Sequence, residues 1–465
     1  MGRTRLLAIA TAAAAAIVSC LPRGGSPHPN ILLISIDTLR ADHLGCYGYP
    51  VPTTPNIDAF AKASAVLFRT AVAAAPSTLP SHSSMFTSLL PEHHGAFFTR
   101  DKPLPADRRT IATILKGYGY RTASVNDGGQ MDARYGVAQG FDEYKTLPGT
   151  ADAAKFSRTV SEAFAWLDAN SRSGPWFLFL HSYETHHPYT PERRYLDAVG
   201  DRYDGPLPDA ISTAILENIN DHKLVGMTDA DKRHIIACYD AEIRSMDESF
   251  GVLVDGLKKR GLFDDTLIVF TSDHGEELGE HTRMGWHSHA LWDPILLVPL
   301  IVALPDRASA GHTIGDQARE IDILPTVLDV IGAKPEPQAE GRSLMALVRG
   351  QSDDARPAVS QQDSTVPQLP ATLRVDSRKL YVRISRPSML FDLATDPGEQ
   401  NDLSSERSAE ADSMQARMDS LFAAAPTSGG AGSAVPDPAL REKLRSLGYL
   451  GSDGAPADGA EHPAH

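Results

Sequence analysis

Two short stretches carry residues of metal-binding type: Ile34-Ser-Ile-Asp37 near the start and Thr271-Ser-Asp273-His274-Gly275 far downstream. Each closes an apolar run, so each reads as a strand delivering ligands at its C-terminal end. In an open α/β sheet, ligands gather at that edge. Carboxylate oxygens plus one imidazole suit a divalent cation, and they do not choose among Ca²⁺, Mg²⁺, Mn²⁺ and Zn²⁺. Taken alone, Asp273 and His274 are equally compatible with a cap on the turn before Gly275.

Between these stretches lies Ala75-Pro-Ser77-Thr78-Leu-Pro80-Ser81-His82-Ser83-Ser84, a hydroxyl-rich segment that turns and then reads as a helix start. A helix N-terminus offers free N–H groups to an anion, here expected near Ser81. A hydroxyl held there against a cation is activated as a nucleophile. By itself the segment reads first as a capping cluster with no chemistry.

The elements that must position these groups alternate between strand and helix patterns from residue 30 to about 332, as in a mostly parallel sheet covered on both faces. Strands are expected at 31–37, 121–126, 176–182, 266–273 and 299–304. Several are continuous apolar runs, the signature of strands buried on both faces. Helices are expected at 111–116, 156–169, 229–259 and 321–331, with 195–227 an irregular surface excursion. Beyond 332 the pattern shortens to strands at 371–375, 379–384 and 390–393 and a helix at 404–422. This reads as a small C-terminal antiparallel sheet plus helix, a subdomain spanning 333–422. Residues 423–465, rich in Gly, Ala, Pro and Ser, read as a flexible tail around a short helix at 438–447.

The chain has 465 residues, is 42% hydrophobic and carries a formal charge of −15 with an isoelectric point near 5.5. This acidity argues against nucleic acid as a partner, because phosphate binding needs a basic face. Residues 1–19 join Arg3 and Arg5 to an apolar stretch too short to span a bilayer, which reads as a secretory signal peptide. Ile17-Val-Ser-Cys20 resembles a lipobox, so Cys20 is the expected acylation site and 20–29 a tether to a membrane. The expected location is periplasmic or on the outer-membrane face. Cys46 and Cys238 define no disulfide framework, and the oligomeric state is left open.

Four ordered blocks carry a family resemblance: Pro29 to Asp37, Thr78-Leu-Pro-Ser-His82, Phe179-Leu-His181-Ser-Tyr-Glu-Thr-His186-His-Pro-Tyr189 and Thr271 to His281. Together they resemble the sulfatases of the alkaline phosphatase superfamily, and further blocks extend the likeness to about Phe422. The resemblance implies an alkaline-phosphatase-like α/β fold. It also implies one divalent metal ion held by Asp37, Thr78, Asp273 and His274. Thr78 falls where the family places its nucleophile, usually a Cys or Ser converted to formylglycine, a conversion Thr cannot undergo. It resembles the threonine of the superfamily's phosphodiesterases and phosphoethanolamine transferases.

Thr38 stands in place of a second Asp ligand, His82 in place of an Arg, and His274 in place of an Asn. The imidazole leans the ion toward Mn²⁺ or Zn²⁺ over Ca²⁺. At position 82 a group titrating near neutrality would weaken anion binding as pH rises. His82, His181 and His287 are the expected substrate-binding side chains, and His186 or His289 the leaving-group acid. His93, His94 and His281 are read as structural. The expected activity is hydrolysis of an anionic sulfate ester through a covalent Thr78 intermediate. The rivals are a phosphodiesterase or phosphoester transferase using the same site, and a non-catalytic exported binding module.

Overall fold

Residues 28–150, 154–222, 224–364, 370–423 and 436–450 are described by a computed structural model. The expected signal peptide and Cys20 lie outside these residues. In chain order the strands of the first part are β1 (Asn30–Ile36), β2 (Val66–Val72), β3 (Arg121–Asn126), β4 (Glu143–Thr146), β5 (Trp176–Ser182), β6 (Thr266–Thr271), β7 (Glu277–Leu278), β8 (Met284–Trp286), β9 (Leu297–Ala303) and β10 (Thr313–Arg319). Eight of them form one sheet in the order β10-β2-β9-β6-β1-β5-β3-β4, while β7 and β8 make a small hairpin. Only β9 runs against the others, pairing antiparallel with both β2 and β6.

β1 shows why this sheet needs cover on both sides. Ile31 and Leu33 pack into one apolar cluster and Leu32, Ile34 and Ile36 into the other, all at most 1% exposed. Successive side chains alternate faces, so a strand without polar alternation fits only between two helical layers. One layer includes Phe156–Asn170 and the long helix Asp229–Lys259. Thr228 and Asp231 form a capping box at the start of the latter, and Lys258 and Lys259 complement its dipole at the end. The stretch 195–227 differs from the expected excursion. It holds the ends of helix Arg193–Val199 and helix Thr213–Asp221, with Leu196, Ile211 and Leu216 buried in the same cluster.

The second part is an antiparallel sheet of β11 (Ala358–Gln361), β12 (Ala371–Val375), β13 (Arg378–Val382) and β14 (Met389–Asp392), covered by helix Ser408–Ala423 through Met414 and Met418. Lys379 joins it to the larger part: the buried Nζ lies 2.8 Å from Asp293 Oδ1 and 2.7 Å from Glu399 Oε1.

Helix Pro438–Ser446 lies where a helix was expected, yet it is no loose appendage. Asp437 caps it by accepting from Leu440 N at 2.9 Å, and Leu440, Leu444 and Leu447 enter the main apolar cluster. Each buried leucine contributes roughly 1.5–3 kcal/mol. Of the expected flexible flanks, 423–435 and 451–465, Ala423 closes helix Ser408–Ala423 and the rest lies outside the described residues. No helix among the described residues is long and apolar enough to cross a membrane.

Candidate functional site

The three central strands end side by side, and their register decides which side chains meet. Ser35 pairs with His181 on one flank and with Thr271 on the other. Asp37, one residue past β1, therefore stands between His181, near the end of β5, and Asp273, two residues past β6. Ser272 stitches the two ligand turns together, accepting from Leu39 N at 3.0 Å and donating to His274 O at 2.6 Å. Gly275 is required here by space: a Cβ would meet Pro294 O at 2.3 Å.

Thr78 is the first residue of helix Thr78–Thr87 and donates from Oγ1 to Asp37 Oδ2 at 3.1 Å. Asp37, Thr78, Asp273 and His274 are all fully buried. Asp37 Oδ1, Asp273 Oδ2 and His274 Nε2 nevertheless find no hydrogen-bond partner. One ligand atom from each of Asp37, Asp273 and His274 lies within 4.8 Å of the others. His274 Nδ1 donates to Gly275 O at 2.9 Å, which leaves the Nε2 lone pair free. Imidazoles, not Lys or Arg, stand within ion-pair distance of the carboxylates, His181 of Asp37 and His82 and His274 of Asp273. Burial accordingly pushes both Asp37 and Asp273 up to about 7, and the charge of nearby Asp37 adds to the rise at Asp273. Buried charge without compensation is costly, and a cation among these three unpartnered atoms supplies the compensation. The donor set fits a divalent ion.

The expected substrate-binding histidines separate into two groups. His82 lies behind the carboxylates, with Nδ1 at 2.9 Å from Thr78 O and Nε2 at 3.0 Å from Ser35 Oγ. Burial lowers its pKa to about 3, so the expected titration near neutrality is corrected: the ring is neutral and fixed in place. His181 stands edge-on to His82 at 4.9 Å, with Nε2 at 3.4 Å from Asp37 Oδ2. In the second group, His186 Nε2 and His287 Nε2 approach to 3.1 Å, and His287 lines a cavity. Each ring directs Nδ1 at a carbonyl, His186 at His187 O (2.5 Å) and His287 at Pro76 O (3.0 Å). His186 Nδ1 donates to its carbonyl, so its Nε2 is an acceptor; His287 Nδ1 also meets Ser288 Oγ at 2.8 Å, which lets His287 carry its hydrogen on Nε2 and donate it to His186. His289 is not joined to this group, because its Nε2 is taken by Glu277 Oε2 at 3.0 Å and its Nδ1 by His287 O at 3.0 Å.

Ser81 also differs from expectation. Its N–H donates to Ser77 O, and its hydroxyl lies at 2.6 Å from Asp273 O and 2.6 Å from Glu320 Oε2, so it braces the metal turn and offers no N–H to an anion. Thr38, at φ 55° and with its Oγ1 unpartnered, follows Asp37 without supplying a carboxylate.

Tyr449 is the residue that sequence reasoning missed. Its hydroxyl lies 3.0 Å from Thr78 Oγ1 and 3.3 Å from His186 Nε2. The available signal was the apolar spacing Leu440, Leu444, Leu447 running into Gly448-Tyr449 within an otherwise polar tail. Tyr449, Ser77, His287 and Asp363 line a small cavity with Phe98 and Trp286.

Residues 29–333 match the protein family described as Sulfatase, and residues 279–424 match the one described as N-sulphoglucosamine sulphohydrolase, C-terminal. An ulvan-active sulfatase of Formosa agariphila is 29% identical over 406 residues, covering 81% of this chain and 77% of that protein. The multifunctional alkaline phosphatase superfamily protein PehA of Trinickia caryophylli is 25% identical, covering 80% of this chain and 91% of its own length. The solved phosphonate monoester hydrolase of Agrobacterium radiobacter superposes with a TM-score of 0.70 at 24% identity, over 85% of this chain and 95% of that one, a likeness of fold.

Proposed function

This chain belongs to the sulfatase family of ester hydrolases, and we propose that it cleaves sulfate esters through a covalent ester on Thr78 with one divalent ion. The observation that carries this reading is the meeting of Thr78 Oγ1, 3.1 Å from Asp37 Oδ2, with three buried ligand atoms that have no partner. Asp37, Asp273, His274 and Thr78 would hold the ion, which supplies Lewis-acid polarisation of the ester and acidifies the Thr78 hydroxyl.

The chain's own groups supply the proton chemistry. Thr78 Oγ1 attacks the central atom in line, and the ester oxygen opposite departs with the bonding pair. Thr78 directs its hydrogen to Asp37 Oδ2, so that carboxylate is the first acceptor of the proton Thr78 releases, while His186 carries a lone pair on Nε2. That proton passes on to the His186–His287 pair, whose Nε2 atoms lie 3.1 Å apart, and the pair delivers it to the departing oxygen, so that every group ends the step as it began. Water attacks the covalent ester in the second half and the anion leaves.

One observation favours a second reading, hydrolysis of phosphate or phosphonate esters: Thr78 with His274 replaces the family's usual convertible residue and Asn. Purified protein loaded separately with Ca²⁺, Mn²⁺ and Zn²⁺ is to be assayed on 4-nitrophenyl sulfate, 4-nitrophenyl phosphate, bis(4-nitrophenyl) phosphate and a phenylphosphonate monoester. Preferred turnover of the sulfate supports the proposal. Preference for a phosphorus ester replaces it with the second reading, and metal binding without any turnover leaves a binding module. Export with acylation of Cys20 is part of the proposal, tested by fatty-acid labelling of the full chain and its Cys20→Ala variant.

A further inference from the structure

Threonine poses a chemical problem at this position. A formylglycine hydrate expels its anion by collapsing to an aldehyde, breaking a carbon–oxygen bond. A threonine ester has no such route. Water must attack sulfur or phosphorus, and Thr78 Oγ1 must leave as an alkoxide, which a divalent ion would stabilise and a proton would neutralise. A donor directed at Oγ1 itself would complete that release.

We propose, building on the covalent Thr78 reading, that Tyr449 is the catalytic acid for release of that ester, with His186 as its proton source. The Tyr449 hydroxyl lies 3.0 Å from Thr78 Oγ1 and 3.3 Å from His186 Nε2, so one phenol spans the two groups. Thr78 directs its own hydrogen to Asp37 Oδ2, and its oxygen accepts from the phenol. His186 spends its Nδ1 hydrogen on His187 O, leaving Nε2 as an acceptor facing Tyr449.

The step balances. Attacking water forms the new bond to sulfur or phosphorus and gives a proton to His186 Nε2. The bond from that atom to Thr78 Oγ1 breaks with its electron pair on Oγ1, which takes the Tyr449 proton. The phenolate oxygen recovers a proton from His186, and Thr78, Tyr449 and His186 return to their starting states.

Packing imposes the position of Tyr449. Helix Pro438–Ser446 is anchored by Leu440, Leu444 and Leu447 in the main core and by Arg134 Nη2 at 2.6 Å from Asp437 Oδ2. Gly448, at φ +74°, turns the chain inward where a Cβ would approach His187 Cε1 to 3.0 Å. The Tyr449 ring then sits among Phe98 (5.8 Å), His186 (5.5 Å) and His287 (5.9 Å). A wall held this way is a fixed part of the site, and it comes from beyond the C-terminal subdomain.

The test is rapid mixing of full-length, metal-loaded wild type and Tyr449→Phe with the 4-nitrophenyl ester that wild type turns over fastest. The Phe variant keeps the ring contacts, which matched thermal unfolding verifies. The expected result is a burst of nitrophenolate near one per protein, a steady state slower by about 10²- to 10⁴-fold, and a sulfuryl or phosphoryl adduct on the Thr78 peptide by mass spectrometry. Unchanged steady-state turnover overturns the assignment. So does a slowed first step without adduct, which would place Tyr449 in attack instead of release. If wild type turns over no ester, the hydrolase reading falls and this assignment with it; with an active wild type, the variant bears on Tyr449 alone.

Discussion

Thr78 Oγ1 lies 3.1 Å from Asp37 Oδ2 although 41 residues separate them in the chain. The contact places a hydroxyl against a carboxylate whose other oxygen is unpartnered, at the mouth of a helix. Thr78→Ala is expected to lower turnover by about 10³-fold or more, as loss of a nucleophile does. Thr78→Ser should still form the covalent adduct. Full activity in Thr78→Ala would transfer the role to the neighbouring Ser77, whose buried hydroxyl also has no partner.

Metal removal separates chemistry from folding. The ligands hang from strand ends whose pairing is complete without an ion, so chelation should abolish turnover while the far-ultraviolet spectrum stays native. Restoring the right cation at 100 times its Kd should stabilise the protein by about 2.7 kcal/mol, read as a rise in Tm. Asp273→Asn should lose that rise. A Tm indifferent to Ca²⁺, Mn²⁺ and Zn²⁺ alike would contradict the ligand set.

His186 and His289 were equal candidates in the sequence and are unequal in the structure. His186→Ala should lower kcat by about 10²-fold or more, most for esters of weakly acidic phenols. His289→Ala breaks its pairing with Glu277 and should lower Tm, with a much smaller fall in kcat. The reverse ranking on a series of substituted phenyl esters would return the acid to His289.

His93 gives a pH dependence of stability. Burial alone would lower its pKa, but the Glu340 carboxylate against Nδ1 outweighs burial and holds it above the ordinary 6.5. A raised folded-state pKa means the stabilisation is fully present below pH 6.5 and fades as pH climbs through the folded value. Wild type should therefore exceed His93→Gln in Tm at mildly acidic pH, with the gap closing on the alkaline side. A gap that widens with pH would reverse the sign. Nε2 of the same ring reaches Phe422 O at 3.3 Å, so the effect should be felt where the C-terminal helix docks.

Five of the six interior strands were legible because double-sided burial leaves an unbroken apolar run; β2 was not, since Arg69 and Thr70 interrupt its run. β3 and β5 occupy the expected spans, and β1, β6 and β9 fall within two residues of theirs. β4 and β10 were not, since a sheet edge is paired on one side only and Glu143-Tyr-Lys-Thr or Thr313-Ile-Gly-Asp reads as loop. The reversed direction of β9 was invisible because hydrophobicity carries no polarity along a strand. Asp37, Thr78, Asp273 and His274 were legible as types at strand and helix ends. The split of the histidines was not: whether a ring faces a carbonyl, a carboxylate or a cavity is decided by packing between segments hundreds of residues apart.

Leu440, Leu444 and Leu447, which seat Tyr449 in the main core, stand later in the chain than every strand of both sheets, and this has a consequence for biosynthesis. A nascent protein threaded as far as Ala423 already owns its carboxylates, its imidazoles and its threonine, yet its vault stands open on one side. On the role proposed for Tyr449, competence then waits for residues 436–450, and a product stopped at Ala423 would be idle.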